Sequence, residues 1–214
     1  MVAVSGLGAG VLLAELCSKL EVSWAPILSL LVLWGGLIGS VAYALTRSRP
    51  AGLLAFRSRD ILLGVSLGIA LRAAQGVING ANTATFPRGQ TAADASSYLA
   101  WCVSQLWTAG VVGPVVEEFY FRALLIVTIF QLFRRSLGHA SAGLTAILFS
   151  SGAFVCLHGL MGQITLPDGL ALFALSATCS VLVLLTGRIW SAVVLHITYN
   201  TIFLGLTLVG YLMR

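Results

Sequence analysis

Only seven of the 214 residues are acidic, and two of these, Glu117 and Glu118, stand side by side inside an apolar run. Val111-Val112-Gly113-Pro114-Val115-Val116 precedes them and Ala123-Leu124-Leu125-Ile126-Val127 follows, with Arg122 the nearby cation. An ionised carboxylate in a low-dielectric setting is costly unless it is paired, neutralised or used. Two of the three histidines, His158 and His196, also lie in apolar runs, and Asn200 follows His196 by four residues. A carboxylate, two imidazoles and an amide are a sufficient set for hydrolysing an amide bond. A glutamate with access to water can act as its general base, and a histidine can orient that water. Histidine and asparagine donors can stabilise the tetrahedral oxyanion.

Spacing on a helix sorts these groups. Glu118 and Arg122 are four apart and share a face, so they are expected to pair. Glu117 is turned about 100° from Glu118, so the two carboxylates are expected to face different neighbours. Phe154 and His158 repeat the four-residue spacing, as do His196 and Asn200. Each group also has a purely structural reading. Glu118–Arg122 can be a satisfied buried pair that fixes packing, and a histidine in a span can be an interhelical hydrogen-bond partner. The zinc-protease helix with two histidines around a glutamate is absent, as is the glycine-flanked serine elbow.

The elements carrying these residues are membrane spans. With 58% apolar and 9% charged residues, against roughly a quarter charged in soluble domains, the chain reads as all-α, a polytopic transmembrane bundle of about seven spans. It forms a single integral membrane domain over 1–214, with no room for a separate soluble one. The net charge of +5 does not indicate nucleic acid, because most arginines cluster at the ends of apolar runs, where they set topology. Cys17, Cys102, Cys156 and Cys179 have no close spacing and read as small buried apolar residues. Spans are expected near 2–16, 26–45, 61–78, 98–133, 141–160, 170–186 and 189–212, with a break or kink at Gly113-Pro114 in the fourth. Arg47, Arg49, Arg57 and Arg59 mark one loop as cytoplasmic, which places the N-terminus inside and the C-terminus outside a plasma membrane of bacterial type. Asp94, His139 and Asp168 are expected in loops. Arg72 interrupts the third span, and it either snorkels to an interface or pairs with Glu15 or Glu117.

Glu117-Glu118-x-x-x-Arg122, Phe154-x-x-x-His158 and His196-x-x-x-Asn200, in that order and each on an apolar helix, resemble the three-motif signature of the CPBP family. These are CAAX-protease and bacteriocin-processing intramembrane proteases related to the Ras-converting endopeptidase. The resemblance covers residues 117–200, the core, whereas 1–97 adds spans without a signature. Ala123 departs from the pattern, where glycine is common, and this is expected to affect packing rather than chemistry. The resemblance implies an intramembrane endopeptidase acting on a membrane-tethered or hydrophobic peptide in the bilayer, such as a prenylated CAAX-like or leader peptide. By the same resemblance Glu117 would activate water with His158, His196 and Asn200 would form the oxyanion site, and Glu118 and Arg122 would hold the helix or position substrate. Metal-independent catalysis is the favoured expectation, with no cofactor required; the alternative is a zinc ion on Glu117, His158 and His196. Two other classes stay open: a non-enzymatic immunity or scaffold protein, and a small transporter using Glu117, Glu118 and Arg72 as a proton relay. One feature resists the resemblance, since His158 lies about 17 residues into its span and His196 about seven, a depth difference of ~15 Å for straight helices. A deeper start of the earlier helix, or a break at Ser150-Ser151-Gly152, would close that gap.

Overall fold

Apolar runs of this length satisfy their backbone polar groups internally as helices, and helix is the regular structure found among the described residues. The computed structural model describes residues 2–48, 50–78, 80, 86–87, 95–162 and 164–213. The elements are α1 (Val2–Ser18), α2 (Ala25–Arg47), α3 (Ser58–Ile78), α4 (Ala95–Gln105), π1 (Leu106–Val112), α5 (Gly113–Glu118), π2 (Phe119–Ile126), α6 (Val127–Met161), α7 (Leu166–Thr186) and α8 (Trp190–Leu212). Five segments among the described residues are long and apolar enough to cross a membrane, and Ser5–Ser18 is a shorter apolar helix. One of the five, Ser96–Met161, is two rods, because Gly138 adopts φ 76 and ψ 170 inside α6. The left-handed region favours glycine, so the chain turns there. Five segments, one of them divided at Gly138, are fewer than the seven spans expected, because α1 is too short to be counted with them.

The fourth rod differs from expectation. Gly113-Pro114 does not break it. The helix runs on through π1, α5 and π2 with right-handed helical geometry at each junction. The missing proline N–H is absorbed by wider π turns, in which Gly113 N–H donates to the Thr108 carbonyl five residues back. Two more expectations shift. Asp168 lies in the first turn of α7, where Thr165 caps the helix by accepting from the Asp168 N–H, so α7 starts earlier than residue 170. Cys156 is exposed rather than buried, although all four cysteines are free thiols. Asp94 lies outside the described residues.

Two apolar clusters share π2. Ala123 and Ile126 join Ala146, Leu175, Cys179, Val183, Ala192 and Leu195, while Tyr120, Phe121 and Leu124 join Leu33, Leu37, Phe154 and Leu157. Ala123, 7% exposed, therefore has the packing role expected of it. A polar lock outside the motifs fixes the end of α8. Arg188 donates to both Asp60 oxygens at 2.7–3.2 Å, and both residues are buried. The Ile189 N–H and the Trp190 indole then donate to the Leu53 and Leu54 carbonyls, each at 2.9 Å.

α3 runs parallel to α8 in close contact: Gly64 faces Val194 and Leu195, and Gly68 faces Leu195 and Thr198. A Cβ on Gly64 would lie 2.6 Å from the Val194 Cβ and 2.9 Å from the Leu195 nitrogen. Gly64→Ala is therefore expected to destabilise the fold by about 1–3 kcal/mol, read as a lowered midpoint of unfolding in detergent. An unchanged midpoint would refute this close packing.

Candidate functional site

Glu117 and Glu118 end α5, between the two π segments, and His196 and Asn200 lie in the first half of α8. The Glu118 side chain is fully buried beside Arg122, with Nε and Oε2 3.0 Å apart. That N–H does not point along the contact, so charge attraction rather than a directed hydrogen bond holds the pair. Arg122 anchors to α7 through Nη2, which donates to the Ser176 carbonyl and hydroxyl at 3.1 Å each. The rings of Phe121 and Phe154 lie 5.7 and 5.4 Å from the guanidinium. The expected i,i+4 pair is therefore present, and it is tied to two other helices.

The two carboxylates do not go to different neighbours. Glu118 Oε1 is 2.9 Å from His196 Nδ1, and Glu117 Oε2 is 3.8 Å from His196 Nε2. Adjacent helical residues diverge by about 100°, but the two nitrogens of one imidazole also face opposite sides, so a single ring spans the divergence. An ionised carboxylate only accepts, so the His196–Glu118 bond places a hydrogen on Nδ1. Glu117 keeps 19% side-chain exposure whereas Glu118 has none.

His158 joins the group through an aromatic bridge. The Phe154 ring lies 4.4 Å from the His158 ring and 5.7 Å from the His196 ring, centroid to centroid. Phe154 therefore lies level with His196, with His158 one turn further along its helix. The break expected at Ser150-Ser151-Gly152 does not occur, since helix continues through 150–152 and the second rod of α6 begins directly after Gly138. His158 Nδ1 sits 3.0 Å from the Phe154 carbonyl. A carbonyl cannot donate, so Nδ1 carries the hydrogen and Nε2 of the neutral ring is left as an acceptor. Asn200 donates from Nδ2 to the Ala109 carbonyl at 2.8 Å, which holds its amide against π1 and leaves the second amide hydrogen free.

Arg72 neither snorkels nor pairs with a glutamate. Its Nε donates to the Tyr199 carbonyl at 3.0 Å, its Nη1 donates to Gln75, and its guanidinium lies 3.6 Å from the Tyr199 ring centre. Glu15 pairs with Lys19 instead. His139, expected in a loop, lies instead within α6 directly after the turn at Gly138, where it is exposed beside Phe130. Ser176, the Ala109 carbonyl and the Glu118–His196 bond are site features that the sequence did not single out. A serine in a helix and a backbone carbonyl carry no pattern. Among the described residues no three His, Cys, Asp or Glu side chains converge closely enough to hold a metal ion.

Fold and site together define a polytopic helical membrane protein with a glutamate–histidine centre enclosed by its helices. Residues 99–202 match the family model described as type II CAAX prenyl endopeptidase Rce1-like, so this part of the chain is similar to that CAAX-protease family. The family points to a peptidase of the intramembrane CAAX type. No curated protein and no solved structure matches the chain.

Removing one member of a buried ion pair strands the other charge, at a cost of about 3–5 kcal/mol. Glu118→Leu and Arg122→Leu are each expected to lower stability by that order, and the double substitution by less than the sum of the singles. Unfolding of the four proteins of this double-mutant cycle checks it; additive losses would show that the pair is not coupled.

Proposed function

We propose that the protein is an intramembrane endopeptidase that hydrolyses a peptide bond in a membrane-associated substrate, with Glu117 as the base for water. The observation that carries this reading is the convergence of both glutamates on the two nitrogens of His196, with His158 brought alongside through Phe154. Purely structural pairing leaves the more exposed carboxylate without a task, since Arg122 and Glu118 already neutralise each other. The match of residues 99–202 to the CAAX endopeptidase family model supports the same chemistry.

In this mechanism the Glu117 carboxylate takes a proton from water, and the oxygen attacks the carbonyl carbon of the scissile bond. The acceptor Nε2 of His158 takes a hydrogen bond from the same water and fixes its lone pair. The tetrahedral oxyanion receives the free amide hydrogen of Asn200 and a hydrogen from His196 Nε2. Because the Nδ1 hydrogen of His196 stays on the ring and is donated in a hydrogen bond to Glu118, donation from Nε2 as well uses the imidazolium form. Glu117 then passes its proton to the leaving nitrogen and the C–N bond breaks. Glu118 is the positioning residue for His196, with Arg122 behind it. In the same proposal the substrate is a prenylated CAAX-like or leader peptide approached from the bilayer, and the chain carries out this chemistry without a metal.

Glu117→Gln is expected to reduce cleavage of a matched membrane peptide by about 10²–10⁴-fold, and Asn200→Ala by about 10²–10³-fold, with both proteins remaining folded. Turnover by single-turnover assay decides this, and proteolysis retained in Glu117→Gln would end the proposal.

A further inference from the structure

Between α2 and α3 the chain reverses through a short loop with turns of its own. The Leu53 N–H donates to the Pro50 carbonyl at 3.3 Å and the Ala55 N–H to the Gly52 carbonyl at 3.0 Å. The helices on either side, Ala25–Arg47 and Ser58–Ile78, are each long and apolar enough to cross a membrane, so the loop lies at headgroup depth on one face of the bilayer. Exposed Arg47, Arg57 and Arg59 flank it. Among the described residues none of the three has a carboxylate at ion-pair distance. Asp60, next in the chain, is already occupied. Both its oxygens accept from Arg188, and one also accepts from the Arg57 backbone N–H at 2.9 Å. Arg47 lies over the Tyr43 ring at 5.4 Å, a contact that does not cancel its charge. Beside these cations is a cavity of about 300 Å³ lined by Leu45, Pro50, Leu53 and Leu54, at the lower end of ligand-holding cavities, roughly 300–1,000 Å³. Arg47 is two residues from Leu45 and Arg57 is three from Leu54, so both backbones stand within about 10 Å of the lining.

The same loop holds the start of α8. The Leu53 and Leu54 carbonyls accept from the Ile189 N–H and the Trp190 indole at 2.9 Å each. The Leu53 side chain is buried with Ile189, Ala192 and Leu195. Phe56 of the loop meets the Trp190 ring edge-on at 6.3 Å, and Phe119, the residue after Glu118, meets it at 6.2 Å. An apolar cavity rimmed by unpaired cations at a bilayer surface fits a molecule with an anionic head and an apolar tail. Leu54 and Phe56, about half exposed beside it, suit the hydrocarbon boundary rather than water. We propose that this loop binds one anionic phospholipid, with the phosphate on Arg47 and Arg57, Arg59 adjacent and part of an acyl chain in the cavity, and that occupancy tightens the hold on the start of α8. A soluble anion would leave the cavity unfilled, and a neutral lipid would leave the charges unanswered. The site goes beyond the peptidase reading and does not depend on it.

The test titrates the full chain in a neutral detergent with phosphatidylglycerol, phosphatidylcholine or glycerol 3-phosphate, reading lipid retained in native mass spectra and the unfolding midpoint. The wild type is expected to retain one phosphatidylglycerol in preference to phosphatidylcholine, and its midpoint to rise with phosphatidylglycerol alone. An arginine beside an anionic headgroup is worth about fivefold in affinity, so Arg47→Gln combined with Arg57→Gln is expected to weaken retention roughly 25-fold. Arg134→Gln combined with Arg135→Gln, which removes the same charge elsewhere on the chain, is expected to leave retention unchanged. Leu54→Trp, which fills the cavity and keeps the backbone carbonyl, is expected to weaken it; if that protein does not fold, retention that falls as the acyl chains are shortened makes the same decision. Hydrogen exchange reads the hold on α8. Phosphatidylglycerol is expected to slow exchange at the Ile189 amide and the turn after it in the wild type, and not in the Arg47→Gln, Arg57→Gln protein. Equal retention of the two lipids, equal losses in the two arginine pairs, or binding indifferent to both cavity filling and chain length would overturn the site. So would a midpoint raised as far by glycerol 3-phosphate, the mark of a soluble-anion site. Retention with no slowing at Ile189 would overturn the effect on α8. None of these readings involves turnover, so the lipid site and the peptidase stand or fall separately.

Discussion

The arrangement depends on one buried carboxylate. Glu118, with no exposure, lies against Arg122 through one oxygen and accepts from His196 through the other. In the apolar interior neither charge is stable alone. Because Arg122 is itself held by the backbone and hydroxyl of Ser176, this contact joins α5, α7 and α8. Hydrophobic packing between helices is a weak source of specificity in a membrane, where lipid is as apolar as the side chains. A charged and hydrogen-bonded junction is directional, and it fixes which face of α8 meets the glutamates. Glu117, left partly exposed on the other side of the same imidazole, is the group with freedom to act.

Around this junction the backbone is unusually adapted. The π turns on both sides of α5 release carbonyls from the regular ladder, and the Ala109 carbonyl receives the Asn200 amide. π insertions are frequent at functional sites for this reason. On the opposite side of α8, Gly64 and Gly68 let α3 approach so closely that Val194 and Thr198 pack directly against its backbone. α8 is thus held by hydrogen bonds along its chemical face and by close packing against the α3 glycines along its rear, while Asp60–Arg188 and the Leu53 and Leu54 carbonyls fix its start. Residues without a motif in the first half of the chain are therefore part of what positions the site.

Some of this was legible before any fold was known. The all-helical, membrane-spanning character follows from sustained apolar runs, because hydrocarbon leaves the backbone no partner but itself. The Glu118–Arg122 pair follows from a spacing of four, a local property of one helix. The polar residues of the motifs were likewise conspicuous, because charge is rare inside apolar spans and its position is visible in the residue order.

What the sequence could not determine are relations between helices, which depend on crossing geometry and on where each rod begins. Residue order alone does not reveal that Glu117 and Glu118 share one imidazole, since adjacent positions diverge on a helix and only a third element can reunite them. Nor does it reveal that His158 and His196 meet across Phe154, since that depends on how the rod after the turn at Gly138 packs against α8. Arg72 followed the same rule. Its charge was plain, but whether it reached lipid, a glutamate or the Tyr199 ring was decided by α3 lying parallel and close to α8. Local spacing fixes what shares a face, and packing alone decides what that face meets.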